Sequence, residues 1–136
     1  AQFFVTPCLN VKTIEMAKRY SKPVFPGALT PTEIVTAWET GADGVKVFPC
    51  SALGGAKYIK ALKGPFPHVE LVPTGGVTLD TIGDFITAGS SAVGVGGELI
   101  DNKSCAVGNY SIFTERARKF REAASAARRG STAQVA

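Results

Sequence analysis

Residues 43–55 read DGVKVFPCSALGG, and the placement of Lys46 inside the run Gly44-Val45-Lys46-Val47-Phe48 decides how the whole chain is read. Side chains alternate along a strand, so Gly44, Lys46 and Phe48 face one way while Val45 and Val47 face the other. The two valines suit a covering layer of helices, which turns the lysine toward the centre. A lysine on a sheet edge snorkels to water, and that is the ordinary reading of a strand lysine. Here the flanking valines and two further strand-like runs downstream place GVKVF inside a sheet. An unpaired ammonium taken out of water is costly, and desolvation favours the neutral amine, which is a nucleophile toward ketones. Lys46 is therefore the candidate catalytic residue.

Working outward, the same unit of an apolar run followed by a helical pattern recurs. The strand candidates are QFFVT (2–6), PVFPG (23–27), GVKVF (44–48), ELVPT (70–74) and AVGVG (92–96). Helical patterns cover 10–20, 31–40, 54–63, 80–88 and 109–127, with Thr30 as a cap and Pro31 in the first turn of the second. Tyr110, Ile112, Phe113, Ala117 and Phe120 form the apolar stripe of the last one. A short helix is expected after Gly97, over 98–101. Strands alternating with helices predict an α/β fold with a parallel sheet. The near-continuous apolar strands predict burial on both sheet faces. Turn residues cluster where strands end (TPCLN, PGALT, PCSALGG, PTGGV, GGEL), as in barrels and open sheets that build a site there. The pattern leaves barrel and open sheet both available. Residues 1–127 read as the domain and 128–136 as a flexible basic and polar tail.

Composition narrows the function classes. With 45% apolar and 19% charged residues the chain can bury a core. No apolar run approaches ~18 residues, so no membrane helix is expected. The opening AQFFVTP lacks a basic segment and a long apolar stretch, and the first methionine is Met16, so the chain reads as starting inside a longer frame or after a cut. From Arg116 onward six cations face one acid, Glu122, while the residues before carry nine cations and ten acids. That basic stretch lacks a groove motif or aromatic platform beyond Phe120, so it reads as a solvated helix face and no nucleic-acid partner is expected. Cys8, Cys50 and Cys105 are an odd set without CxxC spacing, read as reduced packing thiols of a cytoplasmic protein. His68, in the loop GPFPH, lacks partners for a metal cluster.

Two glycine pairs follow the last two strands, Gly75-Gly76 in VPTGGV and Gly96-Gly97 in VGVGGEL. Either pair alone is compatible with a tight turn. Together, in those positions, they suggest backbone N–H groups that hold a phosphate, with no Cβ in the way.

In FVTPCL, PVFPGALTPTE, VKVFPCSALGG, KALKGPFP, LVPTGGV and VGVGGEL, in that order, the chain resembles the class I 2-keto-3-deoxy-6-phosphogluconate (KDPG) and 4-hydroxy-2-oxoglutarate aldolase family. The resemblance runs to about Arg121. It implies a (β/α)8 TIM barrel, here an incomplete one of about five βα units matching strands four to eight. It also implies Lys46 as the Schiff-base lysine and Phe48 as the aromatic beside it. Pro7 would line the site, Thr74, Gly75 and Gly76 would bind substrate, and Gly75, Gly76, Gly96 and Gly97 would bind phosphate. No metal or other cofactor is implied, and the partners are a small 2-keto acid phosphate and other copies in a homotrimer, without a membrane. The family's catalytic glutamate and carboxylate-binding arginine have no counterpart; Glu15 and Arg19 sit at helical positions that do not match them. Glu98 stands where many members have a hydroxyl residue. The alternative readings are a catalytically incomplete fragment and a phosphate-binding barrel of other chemistry.

Overall fold

In the computed structural model, which describes residues 1–133, short strands and helices alternate and every strand pairing is parallel. Strand β1 (Phe4–Val5) pairs with β2 (Val24–Phe25), while β3 (Gly27–Ala28), β4 (Val45–Val47) and β5 (Leu71–Pro73) form one ladder in that order. Helices α1 (Val11–Arg19), α2 (Pro31–Glu39), α3 (Ala56–Lys63) and α4 (Ile82–Thr87) follow β1, β3, β4 and β5. Helices α5 (Asn102–Ala106) and α6 (Ser111–Ala133) come last. The class is α/β, as the alternation predicts. Among the described residues no helix is long and apolar enough to cross a membrane.

Two expected strands differ in form. The run at 23–27 is divided at Pro26, which has no N–H to give to a ladder, although its carbonyl still accepts from the Lys46 N–H at 2.9 Å. The divided path serves both neighbours, β2 facing β1 and β3 facing β4. The run at 92–96 is reduced to a single bridge between Thr74 and Gly94. A Cβ on Gly94 would lie 2.3 Å from Thr74 Oγ1, so a glycine is required for even this pairing. Gly27 is required in the same way, because an added Cβ would lie 2.3 Å from the backbone of Pro7 where the chain leaves β1.

Helix ends follow local chemistry. Thr30 Oγ1 accepts from the Glu33 N–H, and the Glu33 carboxylate accepts from the N–H groups of Thr30 and Leu29 at 2.8 and 2.9 Å. This capping box starts α2, and those backbone donors hold the Glu33 carboxyl below its ordinary pKa. The helix expected over 98–101 does not form there. Asp101 instead caps α5, accepting from the Ser104 N–H at 2.7 Å, because a short carboxylate bonds the backbone better from a cap than from inside a helix. Helix α6 continues past the expected end at 127 to Ala133, carried first by Arg128 and Arg129, which favour helix, and then through Gly130, which does not. Residues 128–133 of the expected tail are thus helical, and 134–136 lie outside the described residues.

The helices cover only one face of the strands. Ile14, Ile34, Ala37, Ile59, Leu62, Ile82 and Phe85 pack with Val24, Val45, Val47 and Leu71, all buried in one core. On the opposite face Phe3 and Val5 are 58% and 53% exposed, and Phe25, Lys46 and Val72 are half-buried. The expectation of burial on both faces is therefore corrected. Its cause is the strand order. Strands that follow one another across a sheet without reversal, joined by crossovers of one hand, put every helix on the same side.

These packing distances set two stabilities apart. Gly27→Ala should cost about 1–3 kcal/mol, because the Pro7 backbone must move. Gly83→Ala in α4, where nothing lies within 4 Å of the added Cβ, should gain roughly 0.5–1 kcal/mol. Urea denaturation of both variants checks this, and effects of the same sign would contradict the packing described.

Candidate active site

Lys46 sits in the central strand of the ladder, in register with Gly27 on β3 and Val72 on β5. Its neighbours Val45 and Val47 are fully buried against the helices, so the alternation read from GVKVF holds. The amine points to the uncovered face and is half-buried, not enclosed, since among the described residues no helix packs there. Phe48, two residues on, shares that face, with its ring centroid 4.7 Å from Lys46 Nζ. The ring covers one side of the nitrogen and favours a cationic group beside it. The Phe48–Pro49 peptide is cis.

A cavity of about 450 Å³ opens beside the amine. Its walls are Phe3, Val5, Phe25, Val72, Thr74 and residues 92–96. Almost all of this lining is apolar, and among the described residues Lys46 is the one charged side chain in it. A basin of this size with one amine on its floor suits a small molecule that offers the amine a carbonyl or an anion. Phe3, Val5, Phe25 and Val72 were not singled out from the sequence as site residues. The signal was present: Phe3 and Val5 alternate as Lys46 and Phe48 do, but which face they share follows only from strand register.

The other expected residues are distributed around this cavity. Thr74 and Gly96 line it with Lys46. Pro7 lies against Gly27, the register partner of Lys46 on β3, and is exposed. Gly75 sits against the Phe48 ring and Pro49, with a positive φ of 88°. Gly76 lines a separate groove with Ser51, Gly54, Gly55 and Thr81. Gly97 lines a third, of about 600 Å³, with Glu98, Asp80, Asp101 and Arg116. The two glycine pairs thus flank the Lys46 cavity and do not share one wall. In the third groove Arg116 Nη1 lies 2.7 Å from the Asp101 carboxylate. Of the cysteines, Cys50 is buried, and burial pushes its thiol up to about 11, as expected of a packing residue. Cys8 is exposed, so the packing role does not extend to it. His68 stacks edge-on against Trp38 at 6.2 Å between ring centroids.

The family model described as "Aldolase: KDPG and KHG aldolase" matches residues 1–115. A 2-dehydro-3-deoxy-phosphogluconate aldolase of Haemophilus influenzae is 43% identical over 86 residues, covering 63% of this chain and 41% of that protein. Among solved structures, one described as native KDPGal superposes with a TM-score of 0.79 at 34% identity, covering 92% of this chain and 61% of that one. A Legionella pneumophila KDPG aldolase, holding pyruvate as a covalent carbinolamine, gives a TM-score of 0.77 at 26% identity, covering 85% and 56%. The chain spans about half the length of the curated relatives it matches.

Asp101 gives the groove next to the cavity a pH dependence. The Ser104 N–H and then the Arg116 guanidinium hold its carboxyl at about 2, below the usual 3.8. A carboxyl depressed on folding adds stability above its ordinary value and loses it as pH falls toward the folded one. Thermal unfolding of Asp101→Asn should therefore show a lower Tm than wild type at pH 5–7, with the gap closing between pH 4 and 2. A gap independent of pH would contradict the assignment.

Proposed function

Because the chain belongs to the KDPG and KHG aldolase family, we propose that the protein is a class I aldolase that cleaves 2-keto-3-deoxy-6-phosphogluconate to pyruvate and glyceraldehyde 3-phosphate through an imine on Lys46. The same chemistry on 4-hydroxy-2-oxoglutarate would give pyruvate and glyoxylate. The observation that carries the proposal is the amine of Lys46, aimed from a central strand into an apolar cavity with Phe48 against it. The pyruvate carbinolamine of the Legionella relative supports it.

In this reading Lys46 Nζ adds to the C2 carbonyl of the substrate, and loss of water leaves a protonated imine. A general base takes the proton of the C4 hydroxyl. The C3–C4 bond breaks, its electrons pass into the imine to form an enamine, and C4 leaves as the aldehyde. Protonation of the enamine at C3 and hydrolysis release pyruvate and restore the amine. The electron sink is the imine cation itself, so the chemistry is metal-free. Thr74 and Phe48 would hold the pyruvyl part, Pro7 would border it, and Gly75, Gly76, Gly96 and Gly97 would offer backbone N–H groups to the phosphate end.

The fold that goes with this is a (β/α)8 barrel, of which residues 1–127 supply about five βα units. The placement of α1, α2, α3 and α4 on one face supports it, since a doubly wound sheet carries helices on both. The remaining units would enclose Lys46 and bring the general base. The working protein would be a cytoplasmic homotrimer.

Incubation of the native protein with pyruvate and borohydride tests the reading. A reduced pyruvyl mass on the peptide that holds Lys46, absent from Lys46→Arg together with aldolase activity, is the expected result. Pyruvate that binds without leaving a mass on that peptide would overturn it.

A further inference from the structure

We propose that Glu98 is a specificity-determining residue that weakens the hold on phosphorylated aldehydes and admits their uncharged hydroxylated counterparts. The inference rests on the aldolase reading and adds to it the class of aldehyde. The Lys46 cavity extends to Gly96, so a substrate joined to Lys46 at C2 can reach that glycine with its far end. Beyond it the Gly96 carbonyl accepts from the N–H groups of Leu99 and Ile100 at 2.9 and 3.1 Å, which closes a tight turn with Gly97 and Glu98 at its tip. Glu98 is exposed and lines the adjoining groove with Asp80, Asp101 and Arg116.

The charges in that groove do not balance. Arg116 is committed to Asp101 at 2.7 Å and to the Leu99 carbonyl at 3.4 Å. Among the described residues, neither Asp80 nor Glu98 forms an ion pair. Among the described residues that line this groove, the carboxylates of Glu98 and Asp80 would thus stand without a cation beside a phosphate dianion set on the N–H groups of the glycine turn. Like charges at contact distance repel appreciably even near a wet surface. A hydroxyl in the same place carries no charge and can donate a hydrogen bond to the carboxylate.

Aldol addition of pyruvate to glyceraldehyde 3-phosphate and to glyceraldehyde, by the native protein and by Glu98→Gln and Glu98→Ser, reads this directly. The ratio of kcat/KM, phosphorylated over unphosphorylated, should rise about tenfold in both variants. General damage to the fold lowers both rates and does not produce that rise. A ratio that stays within about twofold of wild type overturns the proposal. Wild type offers an independent measurement, because salt screens repulsion and attraction alike. Its KM for glyceraldehyde 3-phosphate should fall as salt is added, and a KM that rises marks net attraction and overturns the proposal. Borohydride trapping of pyruvate on Lys46 keeps the two readings apart. Without trapping the aldolase reading fails, and with trapping but an unmoved ratio the Glu98 assignment fails.

Discussion

The register of three parallel strands, Gly27 beside Lys46 beside Val72, is the constraint on which the site depends. A lysine in a central strand has two directions open to it. The one taken by Val45 and Val47 ends in a packed apolar core, where an amine without partners would be strongly unfavourable. Lys46 is therefore driven to the other face, and a one-residue slip in register would exchange the lysine for a valine. The buried valines are what hold the amine in place. Phe48 then completes the setting without a further fold element, since it follows Lys46 by the strand period.

Glycine does the remaining positioning. Gly27 lets the backbone at Pro7 cross close to β3, and Gly94 lets residues 92–96 lie against the end of β5. These two approaches bring Phe3 and Val5 on one side and residues 92–96 on the other to the rim of the Lys46 cavity. Larger residues at 27 or 94 would push those walls outward and leave the amine on a flatter surface. The site is thus coupled to backbone packing a few ångströms away, more than to any ion pair.

Much of this was legible in the sequence because local rules dominate it. The alternation in GVKVF gave the facing of Lys46, and Thr30-Pro31 with Glu33 gave the start of α2. What the sequence did not disclose depends on long-range placement. Burial on both faces was expected from apolar strands, yet the helices lie on one face because of strand order, which no single segment encodes. Residues 98–101 lacked a helix because Asp101 is used as a cap for Ser104 and an anchor for Arg116. The glycine pairs were recognised as turns at strand ends, but their separation into different grooves is a matter of long-range placement that neither turn motif encodes. Of the site, Lys46, Phe48 and Thr74 were readable from strand position or motif. The apolar walls from β1 and β2 were not, because they approach Lys46 only through pairing across the sheet.

The central claim is that this amine becomes bonded to a ketone carbon. A crystal structure of the native protein grown with pyruvate tests it most directly. The account predicts continuous electron density from Lys46 Nζ to C2 of pyruvate, with Phe48 against the adduct. Pyruvate held in the cavity by its carboxylate alone, with a gap between Nζ and C2, would contradict it.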